Sequence, residues 1–125
     1  MKLLVDSHTF LWILGRPEEL SNAAQQALAD QGNERLVSVA SLWEIGIKVS
    51  TGKLIVPMEL DMAVPLSAAA MLPISIAHIK RVQQLPFHHR DPFDRMLIAQ
   101  AIEEGLTIVT RDRQFRAYGV PVLAA

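Results

Sequence analysis

The stretch DPFDRMLIAQAIEEGLTIVT, residues 91–110, decides how the rest of the chain is read. It joins two elements of opposite patterning. Asp91 is a good helix N-cap, Pro92 suits the first helical position, and Asp94 falls in the first turn, where an acid complements the helix dipole. The helix expected over Pro92 to Glu104 is stopped by Gly105, and Leu106 to Thr110 follows as a continuous apolar strand. On a helical wheel Phe93, Leu97, Ile98, Ala101 and Ile102 share one broad apolar arc. Asp94 falls near the centre of that arc, while Arg95, Glu103 and Glu104 fall largely on the other side. A carboxylate on the sheet-facing side of a helix is costly unless something pairs with it. Asp94 therefore reads as a ligand at the rim of a buried site.

The same alternation recurs along the rest of the chain. Leu3-Leu4-Val5 is a short apolar run stopped by Asp6, and reads as a buried strand. Thr9 to Leu14 looks helical. Ser21 caps a helix running through Leu28, and Arg35 to Val39 is a second strand. A helix follows from Ser41 to about Ser50. Glu59 to Met71, rich in Ala and Leu, is expected to be mostly helical despite Pro65, with a short strand over Leu72 to Ile76. Ala77 to Leu85 reads as a helix and Val120 to Leu123 as a last strand. The strands are apolar without a period of two, and they alternate with helices. Both features point to the α/β class, a three-layer sandwich with a central parallel sheet of about five strands flanked by helices. Ligands in such folds bind beyond the carboxyl ends of the strands.

The chain has 125 residues, half of them hydrophobic and a fifth charged, which predicts one globular domain over 1–125. Twelve Lys and Arg against thirteen Asp and Glu give a net charge of -1, so bulk positive charge is not how it would hold a nucleic acid. The absence of Cys excludes a disulfide framework, a thiolate zinc site and a cysteine nucleophile. No apolar run approaches ~18 residues, and Asp6 arrives too early for a signal peptide, so a cytoplasmic protein without a membrane partner is expected.

Two acids stand at strand ends. Asp6 follows the first strand at once, and Asp112 follows Leu106–Thr110 by two residues. At about 4 Å, and an effective dielectric of ~20, like charges repel by about 4 kcal/mol, so folding would gather them only with a counter-charge such as a divalent cation. Each alone has a simpler reading: Asp6 as a turn residue, Asp112 as an ion-pair partner of Arg111 or Arg113. For Asp91 the N-cap role is sufficient. Glu44 has two readings: a structural one, because Ser41-Leu42-Trp43-Glu44 fits a capping box and Glu44 precedes Lys48 by four, and a site one, because its polar stripe must face water or a site. Ser41, Glu44, Lys48 and Thr51 form one polar stripe; Leu42, Trp43, Ile45, Ile47 and Val49 are expected to bury the remainder. His88 and His89 read as solvated loop residues or a phosphate contact, and His8 as a residue that could line the site. Met58, Met62, Met71 and Met96 read as core. No Gly-rich phosphate loop, G-x-S-x-G or H-E-x-x-H occurs, and Asp6-Ser7-His8 is not the Asp-x-Asp of haloacid-dehalogenase-type phosphatases.

These residues carry a likeness. The chain resembles the PIN-domain ribonucleases, specifically the VapC-type toxins of toxin–antitoxin pairs. Leu3-Leu4-Val5-Asp6-Ser7-His8 resembles that family's first strand and first acid. Ser41-Leu42-Trp43-Glu44-Ile45 with Lys48 resembles its second acidic motif. His89-Arg90-Asp91-Pro92-Phe93-Asp94-Arg95, with Ile98-Ala99-Gln100-Ala101, resembles its third, and Val109-Thr110-Arg111-Asp112 with Phe115 its last. The motifs span almost the whole chain in the right order. By this resemblance Asp6, Glu44, Asp94 and Asp112 match the acidic quartet, as catalytic residues and metal ligands. Asp91 matches an additional acid of part of the family, and Ser7 and Thr110 match polar neighbours that orient the carboxylates.

The resemblance implies a Mg²⁺- or Mn²⁺-dependent endoribonuclease, the toxin of a pair, with a small antitoxin that inserts residues into the acidic groove, and a homodimer. Hard oxygen ligands suit those ions. Arg111 is a further support. Setting the four acids aside leaves nine against twelve basic residues, so the remaining surface is slightly basic. Lys48, Lys53, Arg90, Arg95, Arg111, Arg113 and Arg116 are candidate phosphate contacts. Two other readings compete. A phosphoacceptor receiver domain would need a paired acid where Ser7 stands, an Asp after a middle strand and a Lys after residue 80, none of which is present. A catalytically silent PIN-like module that only binds RNA or protein would keep the same ligands.

Overall fold

The computed structural model describes residues 1–125. Five parallel strands form one sheet: β1 (Lys2–Val5), β2 (Glu34–Ser38), β3 (Ala70–Leu72), β4 (Thr107–Thr110) and β5 (Val122–Ala124). Their order is β3-β2-β1-β4-β5, so β1 is central and the chain leaves it first toward one edge and later toward the other. The reversal falls between β1 and β4, where Leu3, Leu4 and Val5 face Thr107, Ile108 and Val109. A cleft opens at the carboxyl ends of the two strands flanking such a switch point.

The helices are α1 (Ser7–Gly15), α2 (Asn22–Ala29), α3 (Val39–Ser50), α4 (Leu60–Leu66), α5 (Ile76–Gln84) and α6 (Pro92–Glu104). Alternate strand residues point to opposite faces, and the core divides accordingly. Leu3, Val5, Val37 and Val109 pack with Phe10, Leu20, Ala24, Leu28, Ile45 and Ala63 beneath α1 to α4. Leu4, Leu36 and Ile108 pack on the other face with Leu85, Leu97, Ile98, Ala101 and Phe115. Leu3, Leu4 and Val5 are fully buried, and each such side chain contributes roughly 1.5–3 kcal/mol. Double-sided burial is why these strands lack a period of two.

The expected helix over Glu59 to Met71 is cut short. It ends at Leu66, and Ala68 takes a left-handed φ of 56°. Ala70, Met71 and Leu72 pair in parallel with Leu36, Val37 and Ser38, which moves the strand ahead of its expected start. Satisfying the exposed edge of β2 outweighs the helix propensity of Ala and Leu. Met62 and Met71, read as core, are more than half exposed on these elements.

Three features deliver the site residues. Gly105, in the left-handed region at φ 67°, ends α6 and turns the chain into β4. Asp91 caps α6 as expected, its Oδ1 accepting the N–H groups of Phe93 at 2.8 Å and Asp94 at 3.2 Å. The cap of α3 differs from expectation. Ser38 is the N-cap and accepts the Ala40 N–H at 3.1 Å, so α3 starts two residues early and no capping box joins Ser41 to Glu44. Ser41 is buried within the helix, while Trp43, Ile47 and Val49 are exposed rather than packed, because only one side of α3 meets the sheet.

Candidate metal centre

The acids that end the strands and open the helices converge on one cavity of about 450 Å³. Its walls include Asp6, Ser7, His8, Glu44, Lys48, Lys53, Asp91, Asp94, Arg111 and Asp112. Asp6 and Asp112 come from the carboxyl ends of β1 and β4, Asp91 and Asp94 from the start of α6, and Glu44 from α3.

Asp6 is the most firmly set of them. Its Oδ1 caps α1 by accepting the Thr9 N–H at 2.8 Å, and its Oδ2 accepts the Thr110 hydroxyl at 2.5 Å. Its backbone N–H reaches the Val109 carbonyl at 3.3 Å, and so does the Thr9 hydroxyl at 3.0 Å. Glu44 accepts the Ser7 hydroxyl at 2.5 Å and pairs with Lys48 at 3.3 Å. Glu44 therefore lines the cavity and keeps the expected pair with Lys48, but does not cap its helix. Asp112 caps the 3-10 turn Arg113–Tyr118 through the Gln114 N–H at 2.9 Å, and its own N–H donates to Thr110 at 3.0 Å. Neither Arg111 nor Arg113 pairs with it.

Asp94 lies where the wheel put it. Its side chain is one-fifth exposed, and its pKa is pushed up to about 7, chiefly by burial. Asp91, Glu44 and Asp6 push in the same direction, and His89 opposes them. Burial and three neighbouring carboxylates thus act on Asp94 with only the His89 ring set against them. Hard oxygens on rigid elements, mutually repulsive and open to one cavity, fit a divalent cation of the Mg²⁺ or Mn²⁺ kind.

Two residues depart from expectation. His89 is buried, not a solvated loop residue: its Nε2 lies 2.9 Å from Asp112 Oδ2 and 3.0 Å from Asp94 Oδ2. With those two acids it forms a cluster whose ligand atoms lie within 4.8 Å of one another. The clue in the sequence was its place two residues before the N-cap Asp91, from which a ring reaches back over the first helical turn. Arg95, placed on the outer side of α6 as a candidate phosphate contact, is also buried. Its guanidinium donates to the carbonyls of Val82, Leu85, Pro86 and His89 and stacks on Phe87 at 4.1 Å. Tyr118, unmarked in the sequence, donates to Pro86 O at 2.7 Å and accepts the His89 N–H at 2.8 Å. Arg111 lies over the Trp12 ring at 4.1 Å and donates to Ala125 O at 3.1 Å, and His8 stacks on the same Trp12 at 5.6 Å. Arg90, Arg113 and Arg116 are exposed outside the cavity wall.

A second groove adjoins the first and shares His8, Leu11, Trp12 and Leu54 with it. Beyond those residues it is lined mostly by apolar side chains, Leu14, Ile55, Val56, Pro57 and Met58, with Gly15 and Arg16 at the end of α1. No helix is long and apolar enough to cross a membrane.

Against known proteins, the PIN domain family profile matches residues 3–121. Ribonuclease VapC22 of Mycobacterium tuberculosis is 29% identical over 130 residues, covering 95% of this chain and 93% of that protein. Among solved structures, VapBC2 from Rickettsia felis bound to a promoter DNA fragment superposes with a TM-score of 0.73 at 16% identity, covering 98% of each chain. DNA-bound VapBC from Salmonella typhimurium gives 0.71 at 18% identity, over 98% of this chain and 97% of that one. Those two likenesses are of fold.

Proposed function

The chain belongs to the PIN domain family, and from that premise we propose that it is a metal-dependent endoribonuclease, the toxin of a toxin–antitoxin pair. The observation that carries this reading is the cavity itself: five acids from four separate elements line one cleft at the switch point of a parallel sheet. The likeness to a ribonuclease over nearly the full length of both chains supports RNA as the substrate class.

Asp6 and Asp94 are the principal ligands in this reading, with Glu44 and Asp112 completing the set directly or through water. When bound, Mg²⁺ or Mn²⁺ supplies positive charge against the phosphodiester and lowers the pKa of the attacking water. The chain's own part is positioning. Thr110 and the Thr9 N–H fix both oxygens of Asp6, and Ser7 fixes Glu44. Asp91 holds the helix that carries Asp94. Lys48 and Lys53 on the cavity wall face an incoming phosphate, whereas Arg111 is held to Trp12 and Ala125 and shapes the wall.

A small antitoxin is the proposed partner, because the neighbours in fold are VapBC complexes. The apolar groove running into the acid cavity offers a peptide one hydrophobic and one anionic stretch. A homodimer and a cytoplasmic location go with this reading, as does a single domain over 1–125. The test is cleavage of single-stranded RNA with Mg²⁺ or Mn²⁺, lost in Asp94→Asn while the variant stays folded. Cleavage that persists in excess chelator overturns the metal mechanism. Tight RNA binding without cleavage in either metal favours the silent binding module.

A further inference from the structure

His89 sits among the acids, yet each of its polar groups is accounted for by the chain. Nδ1 accepts the Asp91 N–H at 3.2 Å. The backbone N–H donates to Tyr118 Oη at 2.8 Å, and the carbonyl accepts from Arg95 Nη1 at 3.3 Å. Phe115 meets the ring edge-on at 5.7 Å. A ring nitrogen that accepts a backbone N–H carries no proton of its own, so in the neutral imidazole the proton is on Nε2. That nitrogen is the one facing Asp112 Oδ2 at 2.9 Å and Asp94 Oδ2 at 3.0 Å.

The two carboxylates reach this point from different parts of the fold. Asp94 rides on the first turn of α6, and Asp112 follows β4. His89 lies between them, hydrogen-bonded to Asp112 and in contact with Asp94, and the loop carrying it is clamped by the buried guanidinium of Arg95. To ligate a cation, Nε2 would have to give up its proton and Nδ1 would have to take one, directly against the Asp91 N–H. The local geometry opposes that exchange.

We propose that His89 is a positioning residue of the cation site: its Nε2–H donates to Asp112 and its ring nitrogen packs against Asp94, which sets the spacing of the two acids before an ion arrives, while His89 itself stays outside the ligand set. This rests on the metal-dependent reading given above. Outer partners of this kind typically change metal affinity about 10- to 100-fold when removed.

The experiment uses the full chain and two readouts that need no RNA. Mn²⁺ affinity is measured by the loss of free-ion electron paramagnetic resonance signal for wild type, His89→Ala and His89→Gln. The Gln amide places a donor near the Nε2 position. The expected result is at least about tenfold weaker binding in H89A and near-wild-type binding in H89Q. Unchanged or tighter binding in H89A overturns the proposal, and so does equal loss in both variants, which marks His89 as a ligand. The second readout is the ¹⁵N–¹H correlation spectrum of the wild-type imidazoles, with and without Mg²⁺, and it depends on no variant folding. A proton on Nε2 in both states is expected; a bare Nε2 in the Mg²⁺ state overturns the proposal. Wild-type protein that takes up no Mn²⁺ overturns the metal reading and this proposal together, whereas wild-type uptake with unaltered H89A affinity removes only the role of His89.

Discussion

Thr110 donates its hydroxyl to Asp6 Oδ2 across 2.5 Å and, with the same oxygen, accepts the Asp112 N–H at 3.0 Å. One side chain at the end of β4 thus ties the acid after β1 to the acid after β4. Both Asp6 and Thr110 are buried, so this bond has little competition from water. Thr110→Val keeps the shape and removes the donor. An unpaired oxygen on a buried carboxylate costs about 1–3 kcal/mol, so the unfolding free energy is expected to fall by that amount and the denaturant midpoint with it. Cleavage is expected to fall further than the stability loss explains, because Asp6 loses its fixed orientation. Unfolding curves and RNA cleavage measured on the same preparation separate the two effects.

Asp94 makes stability depend on pH in an unusual direction for a carboxyl group. Its pKa is about 7 in the folded protein, because of burial and the charges of Asp91, Glu44 and Asp6, and near 3.8 in an unfolded chain. The folded state therefore binds the proton more tightly. The contribution is fully present below about pH 4 and is lost as pH rises toward and through 7. Metal-free protein is expected to lose on the order of 2–4 kcal/mol across that window. Asp94→Asn, permanently neutral, should flatten the curve and be the more stable protein at pH 8 in chelator. A wild-type melting temperature that rises steadily from pH 5 to pH 8 without metal contradicts this assignment.

Asp6, Asp94 and Asp112 stood out in the sequence because their signal is local, whereas their grouping with Glu44 came from the family resemblance. A strand run that stops at Asp6, an Asp two residues past Thr110, and an acid on the apolar arc of α6 each follow from periodicity and capping. What stayed hidden depends on contacts across the sheet. Arg95 looked solvent-facing on the wheel, but the wheel carries no information on the end of α5 and the loop after it, residues 82–89, which fold over that side of α6 and present their carbonyls. His89 was hidden for the same reason, since its partners Asp112 and Tyr118 lie more than twenty residues away. The early end of α4 followed from the need of β2 for a partner strand, which no local propensity reports.

Arg95 is a structural cation, and its replacement should show that. The guanidinium donates to four carbonyls from one planar group. Lysine cannot reproduce that fork. Arg95→Lys is expected to destabilise the fold by about 2–4 kcal/mol, because buried carbonyls lose their donors. Amide exchange in residues 82–89 should accelerate before exchange in the β1 and β4 strands does. Uniform acceleration across the sheet would mean that the loop is not a separate unit held by Arg95.

Lys53 gives the complementary case. It lines the cavity, is exposed and has no carboxylate partner, in contrast to Lys48, which is paired with Glu44 at 3.3 Å. A free lysine beside an acidic cleft does little for folding, so Lys53→Gln should leave stability within about 0.5 kcal/mol of wild type. Its expected effect is on the substrate. A phosphate contact releases counterions, and each one adds about 0.7 to the slope of log affinity against log salt for a single strand. RNA binding by a cleavage-dead Asp94→Asn background, titrated over several salt concentrations with and without Lys53→Gln, reads that slope directly. The double variant should bind more weakly at low salt, converge with its parent at high salt, and show a slope shallower by about 0.7. Parallel lines with no change in slope would place the RNA backbone away from Lys53 and along a different wall of the cavity.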